Sequence, residues 1–375
     1  MSPLRLRLQQ LAQTSFLSSA LLGIGMLAVL GCGIWLVKTL EYEHALAQEV
    51  SQLRAEISAT WDEDAVNQAI QRHQRQIEQP WQQESLDVLE LIKIRIASAL
   101  TEDAEWQRVE AWYDYWLEIK RPQPELRWAI ELAAWSQLII EGLEAGQSPF
   151  IAHSSGDRLR AFRWPDGTVE AYRAYRPAHL DSGNKHPVVL GFHSREGTET
   201  LYFHVFDGEK LKRAADKHGF IFMGINQGGL LGRCVHDVSK RAVHETLRHL
   251  ERLPDVDLAN VFFLGHSRGS AAAMHCALED MPSPRSIAIM APSVVAEEFT
   301  PPILQQMPFL VVTAEDDPHY RVNGEGIYNM LVASTDTEVE YLEIADEDHF
   351  FSRGYDHERL FDQVFSFFAK HRANP

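Results

Sequence analysis

The stretch Val261-Phe262-Phe263-Leu264-Gly265-His266-Ser267-Arg268-Gly269-Ser270-Ala271-Ala272-Ala273-Met274 decides the reading of this chain. An apolar run of β type ends at Leu264. A G-x-S-x-G pentapeptide follows, and small residues then open a helix. In this context the serine sits on a sharp strand-to-helix turn. Glycines on both flanks let strand and helix approach without a Cβ clash. The turn lifts the Ser267 hydroxyl clear of the sheet. It also aims the backbone N–H of Arg268 at an oxyanion developing beside it. The pentapeptide alone is a weak signal, and its strand–turn–helix placement gives it weight.

Reading outward, short apolar strands alternate with amphipathic helices. Strands fit Leu159–Trp164, Val169–Tyr175, Pro187–Phe192, Phe220–Ile225, Val261–Leu264, Ser286–Met290, Phe309–Thr313 and Val339–Ile344. Helices fit 207–217, 237–252, 268–279, 323–333 and 357–371. This alternation predicts an α/β domain over 147–375, with a mainly parallel sheet covered by helices on both faces. Active sites in such sheets lie at the carboxyl ends of the strands.

A serine hydroxyl needs a base to become nucleophilic. After a G-x-S-x-G serine the partners follow as acid, then histidine. Phe309–Thr313 runs into Ala314-Glu315-Asp316-Asp317-Pro318, which places a carboxylate just past a strand end. Asp317 is preferred, because its distance from the strand and the following proline suit a tight turn. Asp316 is the alternative. Val339–Ile344 runs into Asp346-Glu347-Asp348-His349, so His349 occupies the base position. His357 competes, but it falls in the C-terminal helix. A second oxyanion donor is expected after Pro187–Phe192, in His193-Ser194-Arg195-Glu196-Gly197. The Arg195 N–H is the first choice and Ser194 the second. His244-Glu245-Thr246-Leu247-Arg248-His249 imitates the zinc motif H-E-x-x-H but is one residue too long. On a helix its two histidines point about 140° apart, badly placed to share a metal.

These residues resemble the α/β-hydrolases, and within them esterases and peptidases of the polyhydroxybutyrate-depolymerase and prolyl-oligopeptidase-like group. Pro187–Gly197, Leu211–Gly219 and Asp257–Ser267 carry the resemblance, which covers about residues 157–372. It implies an α/β-hydrolase fold, no metal and no organic cofactor. It also implies hydrolysis of an ester, thioester or peptide through an acyl-enzyme. Where the family has His-Gly after the early strand, this chain has His193-Ser194.

Upstream, residues 41–146 carry 21 Asp+Glu against 9 Lys+Arg and seven of the nine tryptophans. Helical stripes run through Leu89, Ile92, Ile96 and Leu100. Others run through Val109, Trp112, Tyr113, Trp116 and Leu117, and through Trp128, Leu132, Trp135, Ile139 and Leu143. Leu46, Val50, Leu53 and Ile57 are spaced likewise, for too few heptads to make a coiled coil. Aromatics at this spacing read as the core of a small all-α segment rather than as a ligand platform. Its role stays open between stalk, cap over the next domain, and a module for oligomers or a protein partner. Gly146–Gly156 reads as a linker.

Phe16–Val37 holds 22 residues without a charge, long enough as a helix (about 33 Å) for a hydrocarbon core of ~30 Å. Residues 1–40 are therefore expected to anchor the chain as a transmembrane helix. Arg5 and Arg7 before the run favour a cytoplasmic N-terminus and a catalytic domain on the exocytoplasmic side. Ala45-Leu46-Ala47 and Val29-Leu30-Gly31-Cys32 offer poorer readings as cleavage sites. The chain of 375 residues has a net charge of −18 and no stretch dense in Lys/Arg, which excludes a nucleic-acid partner. Cys32, Cys234 and Cys276 are too few for a disulfide framework, and Cys234 and Cys276 could pair only outside the cytoplasm.

The expectation is a membrane-anchored serine hydrolase, of carboxylesterase type, acting on a small ester or peptide. The competing expectation is a catalytically silent α/β-hydrolase fold that works as a scaffold through its helices.

Overall fold

In a computed structural model, the described residues are 48–100, 124–149, 155–181, 183–194, 197–206, 208–226, 236–253, 255–277, 283–294, 296, 306–334, 337–351 and 357–373. The apolar run at 16–37, the stripe at 109–117, Arg195 and Cys234 lie outside them. Among the described residues no helix is long and apolar enough to cross a membrane. Two compact units divide the chain, Met1–Ala59 and Thr60–Pro375. Of the first, residues 48–59 are described, and they are helical.

Among its described residues, the second unit holds helices α1 (Glu63–His73), α2 (Pro80–Leu100) and α3 (Pro124–Ala145) together with eight strands. The composition change near Gly146 therefore falls inside one compact unit. The strands are β1 (Gly156–Arg163), β2 (Val169–Arg176), β3 (His186–Phe192), β4 (Ile221–Ile225), β5 (Val256–His266), β6 (Ile287–Met290), β7 (Phe309–Ala314) and β8 (Val339–Ile344). They form one sheet in the order β1-β2-β4-β3-β5-β6-β7-β8. β2 is antiparallel to β1 and to β4, and β4 through β8 run parallel.

The central strands are apolar on both faces, as a doubly covered parallel sheet requires. Alternate residues part to opposite sides. Val188, Leu190, Val261, Phe263 and Val311 face one core, under α6 (His236–Leu250), α7 (Arg268–Ala277) and α8 (Pro318–Ser334). Val189, Phe222, Phe262, Leu264 and Val312 face the other. That second core lies under α4 (Leu201–His204), α5 (Gly208–His218) and the phenylalanine-rich α9 (His357–Lys370). Cys276 is buried in the first core.

The eight strands fall where the sequence places them, though β1 begins earlier, at Gly156, and β5 at Val256. α8 also begins earlier than 323. Asn323, Gly324 and Gly326 depress helix propensity there, but Pro318 is well suited to a first helical position. Gly324 serves packing, since a Cβ at that position would sit 2.3 Å from Thr313 Cγ2. The short α4 carries no sequence signal.

α2 packs on α3 and on β1. Arg160 of β1 grips Glu84 of α2 at 2.5 and 3.0 Å, and Arg163 pairs with Asp87. Trp128 of α3 is buried. It meets Trp135 edge to face at 5.1 Å and lies 4.1 Å from the Arg173 guanidinium of β2. That tryptophan works as core, as its spacing predicts.

Candidate active site

Ser267 links β5 to α7 with φ 53°, a left-handed conformation that costs a non-glycine residue strain. The end of β6 and the loop after it hold it there. Its N–H donates to Met290 O at 2.9 Å, and its carbonyl accepts from Ser293 N at 3.3 Å. Both flanking glycines are required by space. A Cβ at Gly265 would lie 2.5 Å from Gly269 O, and one at Gly269 would lie 2.0 Å from Phe192 O. The β3 end and the α7 start thus touch backbone to backbone. Ser267 is 4% exposed.

Asp317 ends the turn after β7 and leads α8, its carbonyl accepting from Arg321 N at 2.8 Å. Its carboxylate accepts a hydrogen bond from His349 Nδ1 at 2.6 Å. Both groups are buried, at 7% and 4% exposure. With Nδ1 carrying the proton, Nε2 is the basic nitrogen. Asp316 is exposed, and its N–H donates to Glu347 O at 3.0 Å. The structure therefore brings Asp317, rather than Asp316, to the histidine. Glu315 N donates to Ile344 O at 3.0 Å, and its side chain accepts from Asp346 N at 3.1 Å. These bonds tie the loop after β7 to the loop after β8.

His266 joins that second loop to the serine turn. Its Nε2–H donates to His349 O at 2.8 Å, and the two rings lie 5.0 Å apart. Burial, with His349 nearby, holds His266 well below the ordinary histidine range, so it stays neutral. Tyr320 lays its ring on His349, with centroids 4.1 Å apart. The pentapeptide pattern treats position 266 as arbitrary, and no pattern singles out Tyr320, so sequence reasoning missed both. His357 opens α9 with its ring beside Phe206. Arg268 is the first residue of α7, where backbone N–H groups lack partners within the helix. Ser194 is buried just past β3.

The order of the sheet and the three positions together decide the architecture. A left-handed serine follows β5, an acid follows β7 and a histidine follows β8, on a sheet ordered 1-2-4-3-5-6-7-8 with β2 antiparallel. The chain has the α/β-hydrolase fold.

Three solved structures illustrate the likeness. A thermophilic carboxylesterase from a metagenomic library, EstE1, is 17% identical over 60% of this chain and 92% of its own, with TM-score 0.47. The dienelactone hydrolase of Anabaena variabilis is 12% identical over 58% and 99%, with TM-score 0.46. A putative dipeptidyl aminopeptidase IV of Bacteroides ovatus is 16% identical over 60% and 37%, with TM-score 0.44. No protein-family model matches the chain, and no curated protein does.

Among the described residues of this α/β-hydrolase fold, no group of three or more His, Cys, Asp or Glu could hold a metal. His249 turns inward, its Nε2 2.8 Å from Tyr172 Oη and its ring stacked on Phe162. His244 lies beside Arg248. The near-miss of the zinc motif is a packed helix.

Proposed function

We propose that this chain is a serine hydrolase that cleaves carboxylic esters through an acyl-enzyme. Ser267 Oγ attacks the ester carbonyl while His349 Nε2 takes its proton. Asp317 holds the Nδ1–H and favours the imidazolium that forms. The Arg268 N–H and one N–H from the loop after β3, that of Arg195 or Ser194, receive the negative charge on the carbonyl oxygen. The tetrahedral adduct collapses, the alcohol leaves with the proton from His349, and water attacks the acyl-Ser267 with the same base. A buried carboxylate–imidazole hydrogen bond, tied by His266 to a strained serine turn, supports this reading more than any other observation.

A fluorophosphonate probe tests it. Wild type should label, and Ser267→Ala and His349→Ala should not. Absence of labelling in folded wild type would refute the reading and favour the silent scaffold. A substrate screen with short acyl esters and peptides then separates esterase from peptidase.

We infer further that Phe16–Val37 anchors the chain in a membrane, with the catalytic unit on the exocytoplasmic side. Its charge-free length supports this. The labelled full chain should stay in membranes through alkaline washing. Release into the supernatant would overturn the anchor.

A further inference from the structure

Glu199 has no part in the chemistry above, yet its side chain is fully buried. It stands five residues beyond Ser194, in the stretch that leads from β3 into α4. Its partner is Arg95 of α2, whose guanidinium meets the carboxylate at two points. Nη2 donates to Oε2 at 3.0 Å, and Nη1 donates to Oε1. A two-point grip fixes direction as well as distance. The helical segment without catalytic residues thus places one cation directly on the stretch that follows the candidate oxyanion loop.

That stretch is held tightly on its other sides. A Cβ at Gly224 would lie 2.1 Å from Glu199 O, so the backbone there is wedged against β4. Gly197 N donates to Ser194 O at 3.1 Å. A Cβ at Gly197 would lie 3.1 Å from His193 Cβ, and one at Gly269 would lie 2.6 Å from His193 O. Two residues before Glu199 in the chain, Gly197 thus bonds to Ser194 and packs on His193, whose carbonyl in turn meets the α7 start. A second carboxyl, Glu170 of β2, is buried and feels Glu199 and Arg95. Burial keeps Glu170 protonated at neutral pH, so Glu199 is the carboxylate that Arg95 grips.

We propose that Arg95 is a positioning residue which, acting through Glu199, holds the Ser194 backbone beside the start of α7. The helical segment then braces the oxyanion hole. This rests on the serine-hydrolase reading above.

The test compares Arg95→Met, Arg95→Lys and Glu199→Gln with Arg160→Met in the full-length chain. Arg160→Met breaks a comparable pair between the same helix and β1, far along the sheet from the serine turn. Hydrolysis of p-nitrophenyl acetate, the fluorophosphonate labelling rate and Tm are measured for each. A displacement of ~1 Å at an attack geometry lowers rate about 100-fold, so Arg95→Met should lose about that factor in kcat with KM nearly unchanged. Glu199→Gln should follow it, and Arg95→Lys should recover part of the loss. Arg160→Met should lower Tm while leaving kcat within about threefold of wild type. If Arg95→Met does not fold, Glu199→Gln and Arg95→Lys carry the comparison. Near-wild-type kcat in the folded Arg95 and Glu199 variants would overturn the brace. So would an equal kcat loss in Arg160→Met, which would mark a general stability effect. An unlabelled wild type would instead refute the hydrolase reading itself.

Discussion

Replacing Gly269 by alanine tests how the serine turn is built. The new Cβ would stand 2.0 Å from Phe192 O and 2.6 Å from His193 O, where real contacts keep at least 3.0 Å. The start of α7 and the end of β3 must therefore part by about 1 Å, and both are backbone, so no side chain can swing aside. Overpacking of this kind costs about 1–3 kcal/mol of stability. The same movement shifts the Arg268 N–H away from the end of β3 and the Ser194 backbone that follows it. A shift of ~1 Å in such geometry costs about 100-fold in rate, or about 2.7 kcal/mol in the barrier. The assay is the fluorophosphonate labelling rate with Tm alongside. The control is Gly326→Ala in α8, where the nearest atom is Ala296 Cβ at an ordinary 3.7 Å. There the helix should gain about 0.4–1 kcal/mol, with labelling unchanged. A folded Gly269→Ala that labels at the wild-type rate would refute the reasoning.

Asp317→Asn should cut kcat by about four orders of magnitude, because an amide no longer holds the Nδ1–H tautomer, while Asp316→Asn should leave kcat within about twofold. Matched kinetics on one short ester check both. Burial, and the Glu199 carboxylate beside it, push Glu170 up to about 8, against the pull of Arg95. The fold keeps that proton where the unfolded chain has released it, so stability falls as pH rises from the ordinary 4.5 towards 8, by about 1.4 kcal/mol per unit. Burial first of all holds His193 and His249 down to about 4 and His204 to about 3, so their stabilising contributions are complete above about pH 6.5. Tm measured between about pH 6.5 and 8 should therefore decline in wild type and decline less in Glu170→Gln. Arg173 pairs with Asp157 at 2.6 Å and lies between Trp128 and Phe203 at 4.1 and 4.4 Å. Arg173→Met should cost about 3 kcal/mol, the low end for a broken buried pair, since Lys212 still reaches Asp157 at 2.9 Å. Denaturant unfolding of the two proteins would check it.

Local pattern was enough for much of this protein. Apolar runs at Val188, Phe222, Phe262, Ile289 and Val311 mark strands because a doubly covered sheet needs apolar side chains on both faces. Gly265 and Gly269 mark the turn because two backbones meet there, and chain order then points to Asp317 and His349. What sequence left open depends on which distant segments meet. Asp316 and Asp317 are adjacent acids of like chemistry, and only the packed β7 and β8 loops decide that Asp317 reaches the imidazole. His266 sits at an arbitrary position of its motif until the fold brings His349 O to its Nε2, 83 residues away in sequence. The acidic helices show a core-forming stripe, because helical spacing is local. Their charged residues gain partners only through tertiary contact. Arg95 meets Glu199 across 104 residues, and no periodicity or spacing in a chain encodes a meeting at that distance.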